Sequence, residues 1–499
     1  MKKTVVIFTI LSGVAKIIAF AKELLLAYCF GTSTISDVYL VSMTLPMTLF
    51  GFISSGITSG YIPIYSMLVS KKNKNEGIKF TNWVINTLII VCLLLIAVYY
   101  LFSELIVNLL ASGFDSRTLN LAIDFTNISI LAIVLTCITT VFMAYLQANN
   151  EIELTALVSV PLNIGIAVSI IIAYSLKLLI ILPIGYVLAC LFQMLFMVLY
   201  VRKEGFVYRV TLNLQDESVK KFYRTLGMLT IGSSAYQINL LIDRTLATTI
   251  MVGGLSVFEY GGRINDLIMG MSIIPICTAL FPQMALSAED ENSFRDKISE
   301  AILFFIQTMV PISAIVMVFA YSIVKIIYYR GAFDESSLKL TTSVVFFYGL
   351  GLLAFALREL LSKAFYALSD TKTPLCNTAI GVAANIVLNI MLSKMIGIGG
   401  LAFATSISAV ITVIMLMRAL NKRMGGLNLK KHLRQVSIIL ILTTVDIILA
   451  YLLFQIIMKK ISLEIIALGI AVGVFFLIYI TIMIKLKLIN LQLINRSEH

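Results

Sequence analysis

"LLASGFDSRTL" at residues 109–119 and "YYRGAFDESSL" at residues 328–338 are two versions of one pattern, each placed after an apolar run, with Phe114 and Phe333 separated by 219 positions. Other pairs keep nearly the same spacing. Lys22 answers Arg244 at 222, Pro63 answers Pro282 at 219, and Asn163 answers Asn389 at 226, the last pair within "FMAYLQANNEIELTALVSVPLNI" and "KAFYALSDTKTPLCNTAIGVAANIVLNI". Four anchors at one offset mark an internal duplication.

The composition says what is duplicated. The chain has 499 residues, of which 60% are hydrophobic and 13% charged, and its mean hydropathy is +0.99. That balance belongs to polytopic membrane proteins. A hydrocarbon core needs about 20 apolar residues per helix, and fourteen such windows recur, the first near residue 7 and the last near 462. Six windows separate corresponding points of the repeat. An even number gives both halves the same orientation, related by an axis along the membrane normal. The expected fold is therefore all-α and polytopic, with fourteen transmembrane helices: two six-helix lobes, residues 1–210 and 211–425, and a C-terminal helix pair with its tail, 426–499. Parallel repeats of this kind enclose a site between them, which is a transporter architecture.

Charge sets the orientation. With loops assigned alternately, the segments at the N-terminus, 71–79, 202–224, 295–297, 363–372, 418–434 and the C-terminus collect 25 of the 38 Lys and Arg. Positive loops favour the cytoplasm, so both termini are expected inside the cell. Topology and anionic lipid account for the net charge of +12, and no nucleic-acid partner is expected. "MKKTVVIFTILSGVA" has the start of a secretory signal, but the apolar run continues through Leu26 without a small-residue cleavage site, and it reads as the first span. Six cysteines stand singly, without metal-ligand or redox spacing. A phosphate-cradling GxxxxGK[ST] motif is absent, which disfavours an ATP-driven pump. The two histidines, His432 and His499, lie in a basic loop and at the tail. Pro46, Gly51 and Gly56 interrupt the second span, and Pro63 is expected to end it.

Five cations fall inside spans: Lys16, Lys22, Arg244, Arg263 and Arg358. A Lys or Arg at a helix centre costs about 2.5–3.5 kcal/mol on insertion scales, so each asks for a reason. Lys22, Arg244 and Arg358 adjoin Glu23, Asp243 and Glu359. Sequence neighbours point about 100° apart on a helix, which makes them poor partners. Lys16 has no acidic neighbour on its turn. It lies ~9 Å from Lys22 along the axis and about 120° around it. With Arg263 from the second half, these cations suit a wet vestibule for a polyanion, a diphosphate being the membrane-associated example. A second polar set comprises Asp243, Asn385, Asn389 and Thr405. The two asparagines share a helix face at i and i+4. The set is compatible with a monovalent cation, or with interhelical hydrogen bonding and no ion.

"AKELLLAYCFGTSTISDVY", "INLLIDRTLA", "YYRGAFDESS", "AFYALSDTKTP" and "GLAFATSISA" together resemble the MurJ/MviN lipid II flippases of the MOP exporter superfamily, over about residues 10–420. The resemblance implies fourteen helices, two lobes around a cationic cavity, and a C-terminal pair whose groove holds a lipid tail. It implies a non-enzymatic flippase in the bacterial cytoplasmic membrane, moving an undecaprenyl-diphosphate-linked saccharide, lipid II foremost; the oligomeric state is left open, a monomer included. By motif, Lys16, Lys22, Asp37 and Arg263 take the substrate-binding positions, and Asp243, Asn385, Asn389, Leu401 and Thr405 those of a sodium site, with Asn389 where an aspartate can stand. In the second span this chain departs from the pattern. "LPMTLFGFISSG" puts Met47, Phe50, Gly51 and Ser55 where lipid II flippases carry an asparagine, an arginine pair and an acid. Rival readings are a flippase for another lipid-linked oligosaccharide (capsule, O-antigen or exopolysaccharide unit), a drug/cation antiporter, and a membrane glycosyltransferase. The last would need catalytic carboxylates on a large outer loop, and the loops are short.

Overall fold

The structure, a computed structural model, describes residues 2–427, 429–461, 463–486 and 488. His499 and the C-terminal end, expected to face the cytoplasm, lie outside the described residues. Among the described residues the ordered elements are helices, with no strand. They run α1 (Lys2–Phe30), α2 (Thr34–Lys71), α3 (Lys74–Leu101), α4 (Ser103–Leu110), α5 (Ser116–Ser129), α6 (Ala132–Ala148), α7 (Ile152–Ala156), α8 (Ser159–Leu176), α9 (Ile181–Lys203), α10 (Glu217–Ile250) and α11 (Gly254–Ile268). A π turn, Met269–Ile273, leads into α12 (Ile274–Ser287). There follow α13 (Glu291–Val318), α14 (Ala320–Tyr328), α15 (Glu335–Ala367), α16 (Lys372–Ile396), α17 (Ile398–Arg423), α18 (Leu433–Met458) and α19 (Glu464–Lys485).

Twelve helical segments among the described residues are long and apolar enough to cross a membrane. The expected fourteen include two more, α1 with 29 residues and α10 with 34. Both carry charge along their length: Lys16, Lys22 and Glu23 in α1, Asp243 and Arg244 in α10.

The chain divides into two compact units, 1–260 with 330–337, and 261–329 with 338–499. In the first, α2 packs along α10, α6 and α5, and α1 packs on α8. Pro63 does not end the second span: α2 continues through Pro46 and Pro63 to Lys71. Proline is tolerated in a membrane helix because its surroundings re-satisfy the freed backbone groups. The glycines of α2 have a packing reason. A Cβ on Gly51 would lie 2.5 Å from the Gln237 side chain, and one on Gly56 would lie 3.1 Å from Leu226 Cα. Small residues let two membrane helices approach closely, as here with α10. Beside them Tyr61, Tyr65, Phe80, Tyr145 and Phe222 form one buried cluster. Tyr61 stacks on Phe80 at 5.5 Å and shares a 2.6 Å hydrogen bond with Thr81.

The basic segment after α9 is tied down rather than loose. Asn82 donates to the Val207 carbonyl at 3.0 Å and accepts from the Arg209 amide, while Asn86 donates to the Arg209 and Thr211 carbonyls at 2.9 Å. Two asparagines one helical turn apart on α3 thereby satisfy an extended backbone that has no strand partner. In the second unit α16 packs on α17, α13 on α18, and α18 on α19.

Candidate functional site

On α1, Lys16 is exposed next to the buried Ala15. Lys22 is different. Its Nζ lies 2.8 Å from Glu23 Oε1, with only 11% and 7% of the two side chains exposed. The adjacent pair disfavoured by helix geometry does form, because two long flexible side chains can bend across the 100° between their Cβ directions. A buried carboxylate is expensive unless paired, so Lys22 also serves to neutralise Glu23.

The end of α1 is a dense join. Gly31 sits at φ +58°, and a Cβ there would collide with the Ala332 carbonyl. The Ala332 amide donates to the Tyr28 carbonyl at 2.8 Å, and the hydroxyls of Thr32 and Ser337 lie 2.5 Å apart. Gly31's own carbonyl accepts from Ser36 Oγ at 2.8 Å and Tyr260 Oη at 3.2 Å. The contact has a repeat-related counterpart. Gly113, which aligns with Ala332, meets the Thr248 carbonyl, and Gly253, 222 positions after Gly31, has φ +79° and meets the Thr32 carbonyl. Gly113 thus approaches the end of α10 as Ala332 approaches the end of α1, whereas Gly31 and Gly253 meet different partners.

Asp37 belongs to this join. It is 1% exposed, and its Oδ1 accepts the Ser256 amide at 2.8 Å in the first turn of α11. An anion at a helix N-terminus meets unsatisfied N–H groups and the positive end of the dipole. Arg244 completes the set: its Nε donates to Glu259 Oε1 at 2.8 Å and its Nη1 to Thr44 Oγ1 at 3.2 Å. The neutralising acid for Arg244 is therefore Glu259, one helix on. The neighbouring Asp243 accepts from Asn239 at 3.2 Å. Sequence reasoning missed Glu259 and Thr44 because nothing in local spacing links them to Arg244.

In the second unit Arg263 Nη1 stands 3.5 Å from Asp266 Oδ2 on the same face of α11. The π turn follows one helical turn later. Such bulges mark local departures from α geometry, often at functional sites, and the sequence carried no sign of this one. Arg358 lies over the Phe355 ring at 5.7 Å, a cation–π contact that meets part of the cost of an arginine in a membrane helix.

Across α16 and α17, Asn389 Nδ2 donates to Asn385 Oδ1 at 2.9 Å, Asn385 Nδ2 to Thr405 Oγ1 at 3.3 Å, and Thr405 to the Leu401 carbonyl at 3.0 Å. Four of the five residues assigned to sodium thus form one chain of hydrogen bonds joining two helices. Their oxygens (amide, hydroxyl and backbone carbonyl) are the donor type of a hard cation. Asp243 belongs to the first unit. Among the described residues no group of three His, Cys, Asp or Glu is placed to hold a metal ion.

The sequence profile described as Lipid II flippase MurJ matches residues 26–493. The chain belongs to the lipid II flippase MurJ family. Among curated members, the probable lipid II flippase MurJ of Thermotoga maritima is 26% identical over 412 residues, 82% of this chain and 83% of that protein. That of Rickettsia prowazekii is 26% identical over 413 residues, 81% and 80% of the two chains. The solved structure described as lipid II flippase MurJ in an inward closed conformation superposes with TM-score 0.82 at 22% identity, covering 96% of this chain and 99% of that one. An inward-facing multidrug resistance MATE transporter of the MOP superfamily gives TM-score 0.69 at 16% identity, covering 85% and 99%. The fold of the solved MurJ structure extends over nearly the whole chain.

Proposed function

We propose that this protein is a flippase of the bacterial inner membrane that carries an undecaprenyl-diphosphate-linked saccharide, lipid II foremost, from the inner to the outer leaflet by alternating access. The observation that carries the reading is the family match over residues 26–493, and the exposed Lys16 in the middle of a membrane helix agrees with it. An ammonium there costs about 2.5–3.5 kcal/mol on insertion scales unless water or an anion meets it, and diphosphate oxygens are such an anion. Lys16, Lys22 and Arg263 are the cations we assign to the diphosphate. Lysine binds it as a point charge, without the bidentate fork of arginine. Asp37, buried under the first turn of α11, acts instead by holding that helix start. Both termini face the cytoplasm. No covalent bond changes. The membrane potential drives the cycle, at about 2.3 kcal/mol per charge per 100 mV, or a sodium gradient does, in which case the oxygens of Asn385, Thr405 and Leu401 exchange their mutual hydrogen bonds for the ion.

A second reading, a flippase for another lipid-linked oligosaccharide, is favoured by the second span. Gly51 stands there against Gln237, in a helix that lacks the family's arginine pair and acid. Complementation separates the two. Expressed in cells depleted of their lipid II flippase, the chain is expected to restore growth, and Lys16→Ala and Arg263→Ala to abolish the rescue. Lys22→Ala is tested with Glu23→Gln alongside, so that an unpaired buried carboxylate is not mistaken for a lost ligand. Wild-type protein that reaches the membrane without rescuing overturns the lipid II assignment. Rescue by all the variants overturns the cation assignment.

A further inference from the structure

The C-terminal pair carries an acid that neither the repeat nor the proposed transport cycle uses. Asp446 lies at the midpoint of α18, 13 residues after Leu433 and 12 before Met458. It is 1% exposed, and both carboxyl oxygens are buried without a hydrogen-bond partner. One turn before it Thr443, 3% exposed, has a buried hydroxyl likewise without a partner. These residues continue the buried stripe Ile439, Thr443, Asp446, Ile447, Ala450, while Ile441, Val445 and Ile448 on the other side are more than half exposed. The stripe is the face packed on α13 and α19. Ile447 and Ala450 cluster with Ile315 of α13 and Ala471 of α19, and Ile439 clusters with Leu303 and Tyr479.

No charge from these helices faces Asp446. Between Glu300 and Val318, α13 has no ionisable side chain, and between Glu464 and Lys485, α19 has only Tyr479, whose hydroxyl donates to the Gln307 carbonyl at 2.8 Å. Glu464 is paired with Lys325 at 2.8 Å; on α18 itself Arg434 stands at the start and Tyr451 is exposed, and Lys459 follows just beyond the end. An ionised carboxylate at this depth with neither cation nor donor costs far more than the packing around it supplies, and such groups take up a proton instead. We infer that Asp446 is a proton-binding site and that its proton holds α18 against α13. The neutral acid fits the packed interface. When α18 parts from α13 and water enters, the O–H bond breaks, the proton leaves to water, and the hydrated carboxylate opposes repacking. The inference does not depend on which lipid is carried.

The test uses the full chain in lipid nanodiscs. Infrared spectra at neutral pH should show a protonated-carboxyl C=O band that shifts in deuterated water and is lost in Asp446→Asn. Amide exchange of residues 433–458 should quicken with pH in wild type by about ten-fold per pH unit more than in Asp446→Asn, the dependence of one released proton, and the variant should stay as protected as the acid-form wild type. Absence of the band from the wild type, or equal pH dependence in the two proteins, overturns the proposal. So does removal of the band by sodium at constant pH, which would make the site one for a metal cation. If Asp446→Asn fails to fold, Asp446→Glu decides the matter: its protonated-carboxyl band should move to a new frequency, and a band left unmoved belongs to another buried acid such as Asp37 and overturns the proposal.

Discussion

The middle of α1 and the join at its end both bring charged groups into a membrane helix, and they treat them in opposite ways. At the join, Asp37 takes an α11 amide, Arg244 takes Glu259 and Thr44, and Gly31 lets two backbones touch. In the middle, Lys16 is exposed. Lys22 stands between the two cases, largely buried and in contact with Glu23. A charge whose cost is met inside the fold is explained by the fold. One that is exposed within a helix stands where water or a ligand can reach it. That difference ranks the cations better than their depth along the helix does.

Mutations that break the join should do the most damage. Gly31→Val places a β-branched residue at φ +58° with its Cβ in the Ala332 carbonyl, combining strain with a backbone collision. A loss of about 4 kcal/mol or more is expected, read as a collapse of the thermal unfolding midpoint and of the amount of folded protein. The matched contact sharpens the point: Gly113 meets Thr248 but is not among the positive-φ residues, so Gly113→Ala should be damaging through collision alone and less so than Gly31→Val. If both variants melt with the wild type, the join is not a tight one. Next in size is Arg244→Ala, which leaves the mostly buried Glu259 carboxylate without its 2.8 Å partner. The expected cost is about 3 kcal/mol, at the low end for broken buried pairs because both side chains keep some exposure. Adding Glu259→Gln should restore part of the midpoint. A double variant no more stable than the single one would mean that Arg244 acts through packing.

Much of this was legible beforehand, for physical reasons that also mark the limit. Hydropathy depends on sums over many residues, so the all-helical membrane fold follows from the chain alone. The shared face of Asn385 and Asn389 follows from the pitch of a helix and recurs as a 2.9 Å bond. Partner choice is another matter. Arg244 finds Glu259 across a turn and Lys22 finds Glu23 beside it, and neither outcome is set by the period that governs faces. The course of α2 through Pro63 depended on what surrounds the helix. Asp446 escaped notice because a lone acid in an apolar window lowers its hydropathy only slightly. Its meaning appears only when the facing stretches of α13 and α19 prove to bring no charge to it.

The smallest expected effect lies outside the membrane, where charge is cheap. At the turn between α15 and α16, Asp370 accepts the Thr373 amide at 3.0 Å and the Thr373 hydroxyl at 2.8 Å, and Arg423 Nη1 reaches it at 3.1 Å from the end of α17. The Thr373 amide and hydroxyl, then Arg423, hold this carboxyl below its ordinary range. A depressed acid contributes stability that is present above its unfolded value, near 3.9, and is lost as pH falls through its folded value. Amide exchange of residues 368–376 should therefore be flat from neutrality to about pH 4 and quicken relative to flanking helices below it. Asp370→Asn should remove the pH step, because the amide keeps an acceptor for the Thr373 N–H but has no charge to lose. Arg423 is exposed at the surface, so the step should be small and should shrink with added salt as the Arg423 contribution is screened. A step of equal size in the variant would assign it to another acid, and the turn would then hold through its hydrogen bonds alone.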